Sequence, residues 1–272
     1  MKAAELFKVE GLAVIVTGGA SGLGLAFVEA LAENGARVTL LDIDSAATER
    51  EVARMRALGW DVRGEIVDVT NRPAVQRAFD STAALYGKLD VVFANAGLDP
   101  GIAVIGPDGA RTVAGALENY DDERWNSNIE INLNAVFNTL KAAARHMKPR
   151  RSGRIIVTTS VASVRNSALA AAYPAAKAGV AALMRNVALE LASYNINVNA
   201  IAPGPFATNI GGGHLKEPQW QERAARIIPL HRVGQPHEMK GLALFLASPA
   251  SSFMTGAELF NDGGLSIGPP ID

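Results

Sequence analysis

The chain has 272 residues, 49% of them apolar, a formal net charge of −1 and no cysteine. That length and apolar content support one substantial core, and the balanced charge offers no field to hold nucleic acid or an anionic membrane surface. Disulfides, thiolate nucleophiles and thiolate metal sites are excluded, no run approaches the roughly 20 apolar residues of a bilayer span, and the apolar stretch at 12–16 is too short for a leader. The expectation is a soluble cytoplasmic protein forming a single domain over 1–272.

Residues 12–17 are an apolar run of strand length, followed by Gly18-Gly19-Ala20-Ser21-Gly22-Leu23-Gly24 and a helical pattern to about Asn34, where Gly35 suits the position just past a helix end. A glycine turn between a buried strand and a helix lets backbone N–H groups at the positive helix end meet a pyrophosphate with no side chain between them. Its spacing differs from the usual G-x-G-x-x-G fingerprint, so the position after the first strand carries the reading. The next strand, 37–41, leads to Asp42, eighteen residues beyond Gly24. A carboxylate there accepts hydrogen bonds from both hydroxyls of an adenosine ribose and repels a 2′-phosphate. With Gly19 and Ile43 where a cation would stand, NAD is favoured over NADP.

Helix and strand then alternate: helix 45–58, strand 62–67, helix 73–86, strand 89–94, helix 125–147, strand 154–159, helix 174–192 and strand 197–201. Val/Ile/Leu-rich strands between helices predict an α/β fold, a doubly wound parallel sheet covered on both faces, in three layers. No internal repeat or low-complexity tract is present. Two segments break the rhythm. One is 98–122, a long loop containing Pro100, Gly101, Gly106, Pro107, Asp108 and Gly109; the other is 203–220, with Gly211-Gly212-Gly213 at its centre. Both read as pocket walls or lids at the carboxyl edge of the sheet.

The strand at 154–159 delivers Ser160 to that edge, where ligands of open α/β sheets bind. Thirteen residues on stands Tyr173, and four beyond it Lys177. At i and i+4 on a helix, the last two project from one face. An ammonium about 4 Å from a phenolate, at an effective dielectric near 20, stabilises it by roughly 4 kcal/mol, or about three pKa units before solvent screening. Tyr173 is therefore a candidate general acid/base, with Ser160 at hand to steady an oxyanion.

Taken together, Thr17 to Gly24, Asp68-Val69, Asn95-Ala96-Gly97, Asn132, Ser160, Tyr173 with Lys177, Pro203-Gly204 with Thr208, and Asp262-Gly263-Gly264 form an ordered set. It resembles the compact, single-domain branch of the short-chain dehydrogenase/reductase family from about Gly11 to Gly264. The resemblance implies a Rossmann-like fold binding NAD through Gly18, Ser21, Gly22, Leu23, Gly24, Asp42 and Ile43. It implies that Asp68 and Val69 border the adenine, that Asn95, Ala96 and Gly97 pass beneath the cofactor, and that Pro203, Gly204, Phe206 and Thr208 border the nicotinamide. Asn132 would bend its helix and hold a water reaching Lys177; Lys177 would bond the nicotinamide ribose, and Ser160 the reacting oxygen.

The implied activity is interconversion of a secondary alcohol and a ketone by hydride transfer. Alternatives are an NAD-sensing protein without turnover, an epimerase or dehydratase using NAD transiently, or a lyase-like or structural use of the fold. The sequence departs from the commoner family pattern at Ala94, at Pro174 and in the length of the 98–122 loop, none of which removes a group the chemistry needs. Substrate-pocket candidates are Val161, Ala162, Asn166, Ala170, Pro205, Phe206, His214 and Leu215, a mainly apolar set, while Arg165 keeps an acidic substrate in play. No metal site is expected, and helices rich in alanine and leucine at 125–147 and 174–192 match those that pair in homotetramers of the family.

Overall fold

The computed structural model describes residues 2–98, 113–166 and 170–270. Seven strands, β1 (Ala13–Thr17), β2 (Arg37–Asp42), β3 (Val62–Ile66), β4 (Val91–Ala94), β5 (Gly153–Thr158), β6 (Ile196–Pro203) and β7 (Glu258–Asn261), form one sheet in the order β3-β2-β1-β4-β5-β6-β7. Every pairing is parallel. The chain runs outward from β1 to β3 and then returns to lay β4 on the other side of β1. A cleft therefore opens between the carboxyl ends of β1 and β4, where the connections diverge to opposite faces.

Alternation of side chains along the strands divides the core into two layers. Val14 and Val16 of β1 pack with helices α1 (Gly22–Ala32), α2 (Ser45–Ala57) and α8 (Lys240–Ala247), through Phe27, Met55 and Leu246. Phe27 meets Phe93 of β4 at 5.0 Å between ring centroids. Ile15 points the other way, toward α3 (Arg72–Tyr86), α5 (Ala135–Arg150) and α6 (Ala172–Ala192), through Phe79, Leu140 and Met184. This is the expected three-layer sandwich. Local signals start the helices: the carboxylate of Asp44 accepts the Ala47 N–H, and the amide oxygen of Asn71 accepts the Ala74 N–H. Among the described residues no helix is long and apolar enough to cross a membrane.

The expected helix at 125–147 is interrupted. It divides into α4 (Asp122–Ile129) and α5 around a wide turn, Glu130–Asn134, in which the Ala135 N–H reaches back five residues to the Glu130 carbonyl. One residue too many for an α-helical turn bends the rod at Asn132. Beyond β6 the structure adds a segment, Ile210–Lys216, kinked at Gly211, Gly212 and Gly213, whose φ angles are positive, then α7 (Pro218–Ala225), α8 and the edge strand β7, none of which the sequence pattern assigned. Of the long 98–122 segment, residues 99–112, with Pro100, Gly101, Gly106, Pro107, Asp108 and Gly109, lie outside the described residues. Its last part forms two short 3-10 turns, Val113–Gly115 and Leu117–Asn119.

At the amino edge of the sheet, Asp90 ties β1 to β4. Its Oδ2 accepts the Ala13 N–H at 2.9 Å, and Lys88 and Arg150 flank it at 2.6 and 3.1 Å. Burial pushes this carboxyl up, but the Lys88 hydrogen bond, the Ala13 N–H and Arg150 together outweigh it and hold the group below its ordinary value. A carboxyl depressed in the folded state contributes stability above its unfolded pKa and loses it as the pH falls through the folded one. Asp90→Asn should thus lower unfolding free energy by about 1–3 kcal/mol at pH 7. In urea titrations the gap should persist at pH 5 and narrow as the pH drops below about 4.

Candidate active site

A cleft of about 840 Å³ runs along the carboxyl ends of β1 to β6. At one end the chain leaves β1 through the glycine turn. Gly18 and Gly22 hold positive φ of 65° and 56°, and a Cβ on Gly24 would fall 1.9 Å from the Gly18 carbonyl oxygen. Only hydrogen side chains let the turn close on the first turn of α1. Ser21 stands at the helix N-cap without accepting a backbone N–H through its side chain. The first-turn N–H groups of α1 thus have no side-chain cap and border the cleft beside Gly22, Leu23 and Gly24, an arrangement that fits a pyrophosphate.

Asp42 ends β2 at this same end and Ile43 follows it, and Asp68 and Val69 lie just beyond β3; all four line the cleft. The Asp42 carboxylate accepts the Ala20 N–H through Oδ2 at 2.9 Å and the Asp44 N–H through Oδ1 at 3.1 Å, which aims it across the glycine turn. Asp68 folds onto Thr70, accepting its N–H and hydroxyl at 2.9 and 2.7 Å.

Midway, Asn95 leaves β4. Its amide donates to the carbonyls of Thr17 and Gly18 at 3.0 and 3.2 Å and accepts the Thr158 hydroxyl at 3.0 Å. The Thr17 hydroxyl in turn accepts the N–H groups of Asn95 and Ala96 at 3.0 and 3.1 Å. Gly18 and Ala96 are consequently so close that a Cβ on the former would lie 2.9 Å from the Cα of the latter. Pro203 and Gly204 end β6 at the far wall, where a Cβ on Gly204 would strike the Asp262 backbone; Phe206 and Thr208 continue that wall over the cleft.

Ser160, Tyr173 and Lys177 converge at the β5 end. Ser160 is extended and 8% exposed, and its Oγ accepts the Ala162 N–H at 3.1 Å, leaving its own proton to donate. Tyr173 lies in the first turn of α6, where Pro174 needs no intrahelical donor. One turn on, Lys177 is 3% exposed, and its Nζ donates to the Thr158 carbonyl at 3.1 Å and lies 5.6 Å from the Tyr173 ring centroid. Asn132 stands behind the cleft, fully buried. Its Oδ1 accepts the Leu98 N–H at 3.2 Å, and its Nδ2 donates to the Leu98 carbonyl at 2.8 Å and to Asn128 Oδ1 at 3.0 Å. Gly97 separates it from the lysine: a Cβ there would sit 2.8 Å from Asn132 Oδ1 and 3.5 Å from Lys177 Nζ.

A family model described as enoyl-(acyl carrier protein) reductase matches residues 18–266. The chain belongs to the short-chain dehydrogenase/reductase family. It is 34% identical over 259 residues to a 3-oxoacyl-[acyl-carrier-protein] reductase of Chlamydia pneumoniae, covering 94% of this chain and 97% of that one. It is 30% identical over 263 residues to a 5-keto-D-gluconate 5-reductase of Escherichia coli, covering 97% and 98%. Among solved structures, a gluconate 5-dehydrogenase from Burkholderia cenocepacia in complex with NADP and tartrate superposes with a TM-score of 0.86 at 32% identity, over 97% of this chain and 99% of that one. A 7α-hydroxysteroid dehydrogenase complexed with NADH and 7-oxo glycochenodeoxycholic acid gives 0.85 at 28%, over 97% and 98%. The family binds a nicotinamide cofactor and acts on CH–OH groups.

In this short-chain dehydrogenase/reductase, Val161, Ala162, Ala170, Pro205, Phe206 and Leu215 line the cleft as the sequence suggested. Asn166 does not line it and is exposed. His214 also stays out, its ring 5.3 Å from Trp220 in the lid. Arg165 lines the cleft with its guanidinium donating to the Leu265 carbonyl. Tyr120, Arg124, Asn128 and Ile131 also line it, and nothing in the local pattern marked them, because their place in the cleft depends on the packing of α4 against α6. Gly24→Ala should drive the glycine turn off α1 and weaken nicotinamide dinucleotide binding about tenfold or more. Fluorescence titration beside a thermal melt checks both effects.

Proposed function

We propose that the chain is an NAD-dependent dehydrogenase/reductase that interconverts a secondary alcohol and a ketone, with Tyr173 as general acid/base. The observation that carries this reading is the buried Lys177 ammonium, held on the Thr158 carbonyl beside Tyr173 in the cleft that also receives Ser160. A bound nicotinamide dinucleotide supplies the hydride acceptor for oxidation and the donor for reduction. In oxidation Tyr173 takes the hydroxyl proton of the alcohol, and in reduction it returns a proton to the carbonyl oxygen. Lys177 favours the ionised phenol by its charge, and Ser160 donates a hydrogen bond to the oxygen on which negative charge develops. Asn132 acts behind them, fixing the wide turn of its helix against the backbone of Leu98.

The choice of NAD rests on the β2 end. Asp42 lines the cleft there with oxygens that accept further hydrogen bonds from ribose hydroxyls, and a carboxylate repels a 2′-phosphate. Ile43 beside it is 68% exposed and apolar, and among the described residues lining this end no lysine or arginine offers a countercharge. The Burkholderia relative holds NADP and the hydroxysteroid dehydrogenase NADH, so relatedness alone does not choose between them.

Tyr173→Phe should cut turnover by about a thousandfold while NAD affinity changes little. Near-normal turnover in that variant, read as NADH absorbance from a panel of secondary alcohols, would reject the assignment. Oxidation by the wild type should rise with pH between 6 and 10, and in Lys177→Met the rise should move about one to three pH units higher. A flat profile contradicts the role of the phenol. The pair Asp42→Ala with Ile43→Arg should swing the ratio of NADP to NAD efficiency upward about a hundredfold. A wild-type preference for NADP would remove the cofactor reading and leave the proton chemistry standing.

A further inference from the structure

We propose that the substrate of this site is a carboxylate-bearing hydroxy or keto acid, and that Arg124, with Asn128 and Arg165, binds its carboxylate. The proposal rests on the dehydrogenase reading above and names the substrate class for the same cleft. Among the described residues lining it, the two carboxylates, Asp42 and Asp68, stand at the ends of β2 and β3, whereas Arg124 is on α4, packed against α6, and Arg165 follows β5. The strand order separates these groups by β1 and β4. The arginines that line the cleft are thus gathered toward the end that holds Ser160 and Tyr173, away from the two carboxylates, and favour a substrate anion there.

Position and hydrogen-bonding capacity agree with the charge. Arg124 and Asn128 are four residues apart on α4, so they share one face, and α4 packs against α6, which carries Tyr173. Asp121 caps α4 by accepting the Arg124 N–H at 2.7 Å, which sets where that face begins. Asn128 is fully buried and lines the cleft. Its Oδ1 is occupied by Asn132, while its Nδ2 has no partner among the described residues. A buried amide donor left unpaired is costly, and a carboxylate oxygen entering the cleft satisfies it. Arg165 is steadied by its bond to the Leu265 carbonyl, which uses one of the five donors of a guanidinium. The apolar lining of Val161, Ala170 and Leu215 accommodates the carbon chain between carboxylate and reacting carbon.

The test uses matched pairs of the same shape and different charge: acetoacetate, 4-oxopentanoate and 5-oxohexanoate, each against its primary amide. Calorimetric titration into the enzyme–NAD⁺ complex measures binding without turnover, and NADH-dependent reduction measures kcat/KM. For at least one pair, the wild type should favour the acid by about tenfold or more in both readouts, the yield of one charge-assisted hydrogen-bonded pair. Arg124→Met should bring that ratio to within about threefold of unity and Arg124→Lys to an intermediate value, with NAD⁺ affinity measured beside each. Asn128→Leu should raise KM for the acid more than it lowers kcat. Equal binding of acid and amide by the wild type overturns the proposal, as does an unchanged ratio in an Arg124→Met protein that binds NAD⁺ normally. Should Arg124→Met fail to fold, the wild-type ratio and the lysine variant decide. Acid-selective binding without turnover of any ketone removes the dehydrogenase reading and keeps this one; turnover of neutral ketones without acid selectivity does the reverse.

Discussion

One side-chain amide holds the two halves of the site together. Asn95 donates to the carbonyls of Thr17 and Gly18 at the end of β1 and accepts the hydroxyl of Thr158 at the end of β5, while its own strand lies between them. The carboxyl ends of three parallel strands would otherwise present unpaired backbone carbonyls into a cleft, and the amide satisfies two while leaving room for a ligand above. The same contact sets the glycine turn beside β4, and Thr158 passes the constraint on, since its carbonyl receives the Lys177 ammonium. The glycine turn and the Tyr173–Lys177 pair are therefore registered to each other through one hydrogen-bonded network rather than through flexible loops.

The second constraint is the bend at Asn132. Across the wide turn lies α4, whose Arg124 and Asn128 line the cleft, and the buried side chain of Asn132 fastens the turn to the backbone of Leu98. Gly97 completes the fit, because any larger residue would intrude between that amide and Lys177. The walls that carry Lys177 and Asn128 thus adjoin through Gly97 and Asn132. A change in either helix half alters both.

Much of this was legible in the chain itself. Strands such as 12–17 and 154–159 are buried on both faces, so their Val and Ile runs carry a signal that no competing pattern blurs. The glycines at 18, 22 and 24, the carboxylate at the end of β2, and the Tyr173–Lys177 spacing are local statements about backbone freedom and helix geometry, and they could be read in order. Elements after β6 were not legible: α8 is eight residues long and apolar on most sides, and β7 is four residues long at a half-exposed edge, too little for either period to emerge.

What the sequence determined by itself was the alternation of elements, the glycine turn at the first crossover and the placing of Tyr173 and Lys177 on one helix face, because each depends on residues within one or two turns of one another. Only the tertiary structure decided which wall faces Tyr173, that His214 turns to Trp220 instead of the cleft, and that Arg124 and Arg165, from separate elements, both line the cleft. Those outcomes depend on an extra residue in a helical turn and on contacts such as Asn132 with Leu98, 34 positions apart. Their strength comes from burial, and burial is a property of the assembled fold rather than of any segment within it.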